Sequence, residues 1–538
     1  MVQNGGSQFA LFAKKIGHIS YIFTYTDEIV MIKDTGKIGE RCIYMLFNSF
    51  AFIVFFPIVV ACYFIMPKKV RYIWLLLASY YFYMSWEPKY GLLLLGVTAV
   101  TYLGGFGIEK SKKEGLRKLF LALSVVLCFA LLFVFKYFHF AYSSLQSLAG
   151  LFGGGLSDPA FSILLPVGIS FFTFQAVGYV IGVYRKDVEA EKNFFRYALF
   201  VAFFPQLVAG PIERSKNLLK QIRSIETLQI WNFRQIQEGA VVMLYGYILK
   251  MIISDRAKMV VDAVYDPTVC SEFKGFIPAV ATILFAIQIY TDFAGYTYIA
   301  IGASKIMGFN LMNNFNTPYL ATSIRDFWSR WHISLTQWFR DYLYIPLGGN
   351  RKGKFRKYLN IFIVFAVSGL WHGAAWHFVV WGVLHGILRI LDDLTSGIRT
   401  KIYGRIANLQ SVSFRIWQIL GTFFFVCVAW VFFRAESIGQ AFGMIGRTFT
   451  NWNPWVFTDG TMFSTGMEFK EWNVLFVALL FLLICDICRL CKVDLKQKFL
   501  SQGWVFKSAL FVIGVMLVLV FGIYGFDYDA ASFIYFQF

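Results

Sequence analysis

The sequence predicts an all-α, polytopic integral membrane protein with about a dozen transmembrane and re-entrant helices. Three observations predict it. The 538 residues are 58% hydrophobic and only 15% charged, where soluble domains run at about 25% charged; mean hydropathy is +0.59. The apolar residues fall in long runs, at 46–66, 119–135, 416–433, 474–485 and 509–524, several of them near the ~20 residues that span a bilayer as a helix. Aromatics make up 20%, with 61 Phe, 29 Tyr and 15 Trp, and Tyr and Trp are favoured at the headgroup level. A soluble chain this apolar could not cover its own surface.

Charge fits the same class. The net charge of +19 comes from 50 Lys and Arg against 31 Asp and Glu. In a soluble chain that excess points to nucleic acid. In a membrane protein it marks loops facing anionic lipid, and no nucleic-acid partner is expected. The eight cysteines form no disulfide framework. Cys62, Cys128 and Cys427 lie in apolar runs. Cys485, Cys488 and Cys491 are spaced like an iron–sulfur run, but they close an apolar segment beside Arg489 and Lys492. They read as buried or lipid-facing thiols, with a metal or lipidation site as the alternative.

Residues 1–44 differ from all that follows. They mix Lys14, Lys15, Lys33, Lys37 and Arg41 with Asp27, Glu28, Asp34 and Glu40, and they lack the compact apolar core of a signal peptide. The first clean membrane segment opens at Met45, so 1–44 read as a leader, with Met45 as an alternative start, and 45–538 as one membrane domain. Basic loops alternate with near-neutral ones. Lys68, Lys69 and Arg71, then Lys110, Lys112, Lys113, Arg117 and Lys118, then Arg185 and Lys186 are separated by the turn at Glu87–Pro88 and the glycine-rich stretch 150–155. The positive-inside rule places the basic loops at 110–118 and 351–357 in the cytoplasm. Residues 213–237 read as a cytoplasmic or interfacial segment, and 323–357 as helices lying at or dipping into the interface. The apolar run 359–391 is interrupted by Gly369, Gly373 and Gly382, and broken helices are tolerated where they line a cavity or lie inside protein. No internal repeat is evident.

The chain has six histidines: His18, His139, His332, His372, His377 and His385. Three crowd into Trp371-His372-Gly373-Ala374-Ala375-Trp376-His377 and the turns up to His385. An ionisable group within a span is a functional candidate, and a neutral imidazole can accept a proton near physiological pH. His372 stands out because Gly369 and Gly373 flank it and allow the backbone to break. Each also has a structural reading, as a hydrogen-bonded link between helices. His332 closes Arg325-Asp326-Phe327-Trp328-Ser329-Arg330-Trp331-His332, which also suits an interfacial helix with snorkelling arginines. Gly348-Gly349-Asn350-Arg351-Lys352-Gly353-Lys354 imitates a phosphate loop, but Phe355 stands where Ser or Thr would hold magnesium. His-Glu-x-x-His and Gly-x-Ser-x-Gly are absent, so neither a zincin nor an ordinary serine hydrolase is indicated.

Longer runs carry a resemblance. Asp326-Phe327-Trp328-Ser329-Arg330-Trp331-His332-Ile333-Ser334-Leu335, the following Arg340-Asp341-Tyr342-Leu343-Tyr344-Ile345-Pro346-Leu347-Gly348-Gly349-Asn350, and Ser368-Gly369-Leu370-Trp371-His372-Gly373 resemble the signature of membrane-bound O-acyltransferases (MBOATs). Leu165-Pro166-Val167-Gly168-Ile169-Ser170-Phe171-Phe172, Phe204-Pro205-Gln206-Leu207-Val208-Ala209-Gly210-Pro211, Tyr290-Thr291-Asp292-Phe293-Ala294-Gly295-Tyr296 and the terminal Phe533-Ile534-Tyr535-Phe536-Gln537-Phe538 resemble the bacterial alginate O-acetyltransferase type. The likeness runs over 45–538. Teichoic-acid D-alanylation relatives share the motifs but lack much of the region after about Asn408; peptidoglycan acetylation relatives remain an alternative.

The resemblance implies an MBOAT fold around a central tunnel in a bacterial plasma membrane. It implies transfer of an acyl group, acetyl in this branch, from a cytoplasmic thioester to an extracytoplasmic polysaccharide, directly or through extracytoplasmic acetyltransferase partners. The donor would be acetyl-CoA or an acyl-carrier thioester, with no bound cofactor and no metal. His372 maps to the catalytic histidine and His332 to the second functional one. His372 would act as general base, with His332 supporting it or the oxyanion. The basic stretch 351–357 would attract an acidic donor. A transporter or channel, with intramembrane histidines and Asp292 lining a path, is the reading from another class. Because neither spans nor motifs begin before Met45, deleting residues 1–44 is expected to leave membrane insertion and acyl transfer intact; loss of insertion in the truncated protein would show that the leader matters.

Overall fold

A hydrocarbon environment leaves a backbone little choice but the helix, which satisfies its own N–H and C=O groups. In the computed structural model every regular element among the described residues is helical. Those residues are 45–153, 165–208, 210–406, 408–524 and 533–534. The leader 1–44, Ala209 and the last residues of the terminal motif, 535–538, lie outside them. Met45–Phe538 forms one compact unit.

The principal helices run α1 (Phe50–Ile65), α2 (Arg71–Met84) and α3 (Pro88–Lys110). Next come α4 (Glu114–Leu151), α5 (Ile169–Tyr184) and α6 (Phe194–Ala202). They are followed by α7 (Phe233–Tyr265), α8 (Phe276–Ile306), and the short α9 (Ile324–Arg330) and α10 (Ile333–Phe339). The chain then forms α11 (Gly353–His372), α12 (Trp376–Ile406), α13 (Val412–Arg434), α14 (Phe469–Leu490) and α15 (Trp504–Phe521). Among the described residues seven are long and apolar enough to cross a membrane: α3, α4, α7, α8, α13, α14 and α15. The apolar α1 and α5 are shorter. Two of the long helices contain a π-helical turn, Phe133–Tyr137 in α4 and Ile248–Ser254 in α7.

The most buried of the seven is α8, and small residues let α7 close onto it. A Cβ at Gly302 would lie 2.5 Å from the Gly239 carbonyl oxygen, and one at Gly246 would lie 2.6 Å from that of Gly295. The two glycine pairs recur two turns apart, so backbone meets backbone along a continuous seam. At its end the buried Lys250 ammonium lies 2.8 Å from Asp255 and 2.6 Å from Asp292. Asp292 also accepts the Ile534 N–H at 2.8 Å. Phe533, fully buried, packs on Tyr296 at 4.1 Å between ring centroids, and the Tyr296 hydroxyl donates to Asn48. Thus the Tyr290–Tyr296 motif holds Phe533 and Ile534, and Asp292 pairs with Lys250 there.

The three glycines in 359–391 do not all interrupt the helix. One break occurs, after His372, where Gly373 is extended at φ −153°. Gly369 and Gly382 sit inside α11 and α12 and permit close packing: a Cβ on either would come within 2.3 Å of a carbonyl oxygen of the other helix. The basic loops gather at one end. Arg117 donates to the Tyr184 carbonyl at 2.8 Å and Arg185 to that of Asp341 at 3.1 Å, joining 110–118, the end of α5 and the stretch before α11. Gly302→Val is expected to destabilise the fold by about 1–3 kcal/mol through overpacking. Gly421→Val, where nothing lies within 4 Å, should have little effect. Thermal unfolding of both variants in detergent tests this.

Candidate functional site

His372 is the last residue of α11 and is almost fully buried, at 4% exposure. Gly373 follows because there is no room for more: a Cβ there would meet the Phe378 ring at 2.1 Å. The imidazole is walled by Trp371, Trp381 and Phe433, with ring centroids 4.9, 5.0 and 5.5 Å away.

His332 arrives from a separate motif. It precedes α10 with a left-handed backbone, φ 42° and ψ 54°, a strained conformation for a residue with a side chain and one that recurs at functional sites. Neighbours hold it there. Ile333 N–H donates to the Asn314 carbonyl at 3.0 Å, and the Asn314 side-chain oxygen accepts from the Ser334 hydroxyl at 2.6 Å. That hydroxyl accepts the Ile212 N–H at 3.0 Å. The His332 ring is fully buried, 4.7 Å from Phe293 of α8 and 6.3 Å from His372, centroid to centroid. Two short hydrogen-bond reaches of about 3 Å each cover that span, so one reacting centre can touch both imidazoles.

The third wall is the start of α5. Gly168 is left-handed at φ 75°, and a Cβ there would lie 2.7 Å from the Leu207 carbonyl oxygen, which explains the tight fit between the Leu165–Phe172 and Phe204–Pro211 stretches. Phe171 lies 5.3 Å from Trp371 and 6.3 Å from His332. A partly open cavity of about 40 Å³ is lined by residues 165–171, Trp371, His372 and Lys136 of α4. Lys136 donates to the carbonyls of Trp371 at 2.7 Å and His372 at 3.0 Å.

Residues 190–435, which contain both histidines, match the model of the MBOAT, membrane-bound O-acyltransferase, family. The probable alginate O-acetylase AlgI of Pseudomonas putida is 38% identical over 417 residues, 76% of this chain and 80% of that protein. The chain belongs to the MBOAT family. It is therefore a multi-pass membrane O-acyltransferase. The peptidoglycan O-acetyltransferase of Helicobacter pylori is 34% identical, over 76% of this chain and 81% of that protein. The teichoic acid D-alanyltransferase of Bacillus subtilis is 27% identical, over 52% of this chain and 71% of that protein.

The other described histidines of this MBOAT protein do not line the cavity. His385 is fully buried against Trp381 and Trp328, each 5.0 Å away. A ring nitrogen of His377 lies 3.0 Å from the Phe432 carbonyl. His139 is exposed on α4, and His18 belongs to the leader, outside the described residues. Sequence reasoning missed Lys136; its signal was its place as the single Lys, Arg, Asp or Glu between 119 and 153.

Reasoning from the sequence also missed an arginine cluster at the basic end. Arg214 and Arg340 pair with opposite oxygens of Asp341, each at 2.9 Å. Arg185 and Arg214 both lie over the Tyr342 ring, at 5.4 and 4.8 Å. Three cations around one carboxylate leave net positive charge. The cluster connects to the histidines through one seam: Tyr342 donates to Gly178 of α5 and Trp338 to Phe174, while Phe171 faces His332. Beside it, in the loop after α6, burial pushes the Glu213 carboxyl up to about 7. The native state therefore holds a proton there that the unfolded chain has released, and this contribution to stability is lost as pH rises from about 4.5 through 7. Glu213→Gln should flatten the fall in melting temperature between pH 5 and pH 8, read as the slope of the variant against that of wild type.

Proposed function

We propose that this acyltransferase moves an acetyl group from a cytoplasmic thioester across a bacterial plasma membrane for O-acetylation of an extracytoplasmic polysaccharide, directly or through an extracytoplasmic acetyltransferase partner. The observation that carries the reading is the convergence of His332 and His372, from two separate motifs, at 6.3 Å in the protein interior. The identity of 38% over 76% of the chain to an alginate O-acetylase, against 27% over 52% to a D-alanyltransferase, supports acetyl transfer to a polysaccharide. The likeness to a peptidoglycan O-acetyltransferase makes that glycan the next acceptor to test.

In this reading His372 is the general base. It takes the proton as the acceptor hydroxyl oxygen attacks the thioester carbonyl carbon, and returns it to the departing thiolate. His332 faces the same centre and supports the developing charge. The aromatic walls exclude water, which would otherwise hydrolyse the thioester. The net positive cluster of Arg185, Arg214 and Arg340 suits the acidic end of coenzyme A or an acyl carrier protein. From there α5 runs to the histidines; Phe171 and Arg185 are fourteen residues apart, about 21 Å of helix. The basic stretch 351–357 would attract the same donor.

The test is acyl transfer by purified protein in liposomes, with acetyl-CoA or an acetylated carrier protein as donor and a polysaccharide or partner domain as acceptor. His372→Gln is expected to lose about 10²–10⁴-fold in rate at unchanged melting temperature, with His332→Gln also impaired and His377→Ala close to wild type. A stable His372→Gln protein working at the wild-type rate would remove the base from this mechanism.

A further inference from the structure

We propose that Lys136 is a catalytic residue of this site: its ammonium holds the oxyanion of the tetrahedral intermediate formed beside His372. The inference rests on the acyl-transfer reading above.

The sequence makes Lys136 costly where it stands. It is the one Lys, Arg, Asp or Glu in thirty-five residues, 119–153, of a predominantly apolar helix. Near a span end such a lysine usually turns its ammonium out to the headgroups. Here it turns inward. The π-helical turn Phe133–Tyr137 contains it, and turns of this kind concentrate at functional positions. Its Nζ lies against the carbonyls of Trp371 and His372, the two residues of the catalytic motif, and 5.9 Å from the Trp371 ring centre.

Those carbonyls close α11, whose C-terminal dipole favours a cation. An ammonium has three donors. Two donate to the carbonyls, and because Lys136 also lines the cavity that reaches His372, the third would serve a group held there. Among the described residues, none of the cavity's other lining residues is an Asp, Glu, Lys or Arg. A fixed cation in a low-dielectric chamber, oriented before the reaction begins, is what stabilises charge that develops only in the transition state.

The step balances without a further reactant. The hydroxyl oxygen bonds to the thioester carbon as His372 takes its proton. The carbonyl π electrons move to oxygen, which becomes the anion facing Lys136. Collapse restores the carbonyl, breaks the carbon–sulfur bond and sends the thiolate out with the proton from His372. Lys136 keeps its own protons throughout.

A lysine that merely closed the end of α11 would affect stability, and one that holds the oxyanion affects turnover. The experiment compares Lys136→Met and Lys136→Gln with wild type and His372→Gln, measuring kcat, KM for the donor and melting temperature in the same liposome assay. A neutral variant with wild-type thermal stability is expected to lose about 10²–10³-fold in kcat, with KM within about threefold, because the contact exists only in the transition state. If either stable neutral variant keeps kcat within about threefold of wild type while His372→Gln is inactive, the assignment of Lys136 falls and the acyl-transfer reading stands. Activity lost together with thermal stability in both variants overturns it in favour of a purely structural lysine. Wild-type protein that transfers nothing overturns the reading on which it rests.

Discussion

A helix end placed inside a membrane protein is the constraint on which this site depends. Where α11 stops at His372, its last carbonyls have no partner within the helix, and hydrocarbon offers no water to replace one. Lys136 meets two of them. Gly373 lets Phe378 come against the break, and Gly369 with Gly382 lets α12 return at backbone contact. The same arrangement that makes the break tolerable also sets an imidazole at the edge of a cavity.

The second histidine is held by a different device. Its left-handed backbone is strained, and strain of this kind persists only when the surroundings over-determine it. Asn314, Ser334 and Ile212 form a chain of hydrogen bonds around it, and Phe293 of α8 backs its ring. The position of α8 in turn follows from the glycine seam with α7 and from the buried Lys250 between Asp255 and Asp292. A buried charge group of this kind is weak evidence for stability in itself. It ties α7, α8 and the Ile534 backbone together at one point.

Charge is distributed unevenly along the site. One end carries Arg185, Arg214 and Arg340 around a single aspartate, together with the loop at Arg117. The described lining of the cavity beside His372 is mostly aromatic and aliphatic, with Ser170, one imidazole and the Lys136 ammonium. In the proposed reaction an acidic donor would meet the first of these surroundings and a neutral acyl group the second.

Much of this was legible in the residues. Long apolar runs can only be helices in a bilayer, so the all-α membrane class followed from composition. The motifs at 326–350 and 368–373 singled out His332 and His372, because their order and length exceed chance. Other features were settled by packing between distant segments. Gly369 and Gly382 read as helix breaks in one dimension, yet their missing side chains serve helix contact. Asp292 would line a path only in the transporter reading, and it is the partner of a lysine forty-two positions earlier. Lys136 lies 236 residues before His372 in the chain and touches its carbonyl oxygen. Periodicity and hydropathy report what a segment is surrounded by on average, whereas the direction of one ammonium depends on a π turn and a neighbouring helix end. The sequence by itself therefore determined the class and the two imidazoles; the tertiary structure decided their meeting and the cation beside them, because those depend on distances between chain segments that no local pattern encodes.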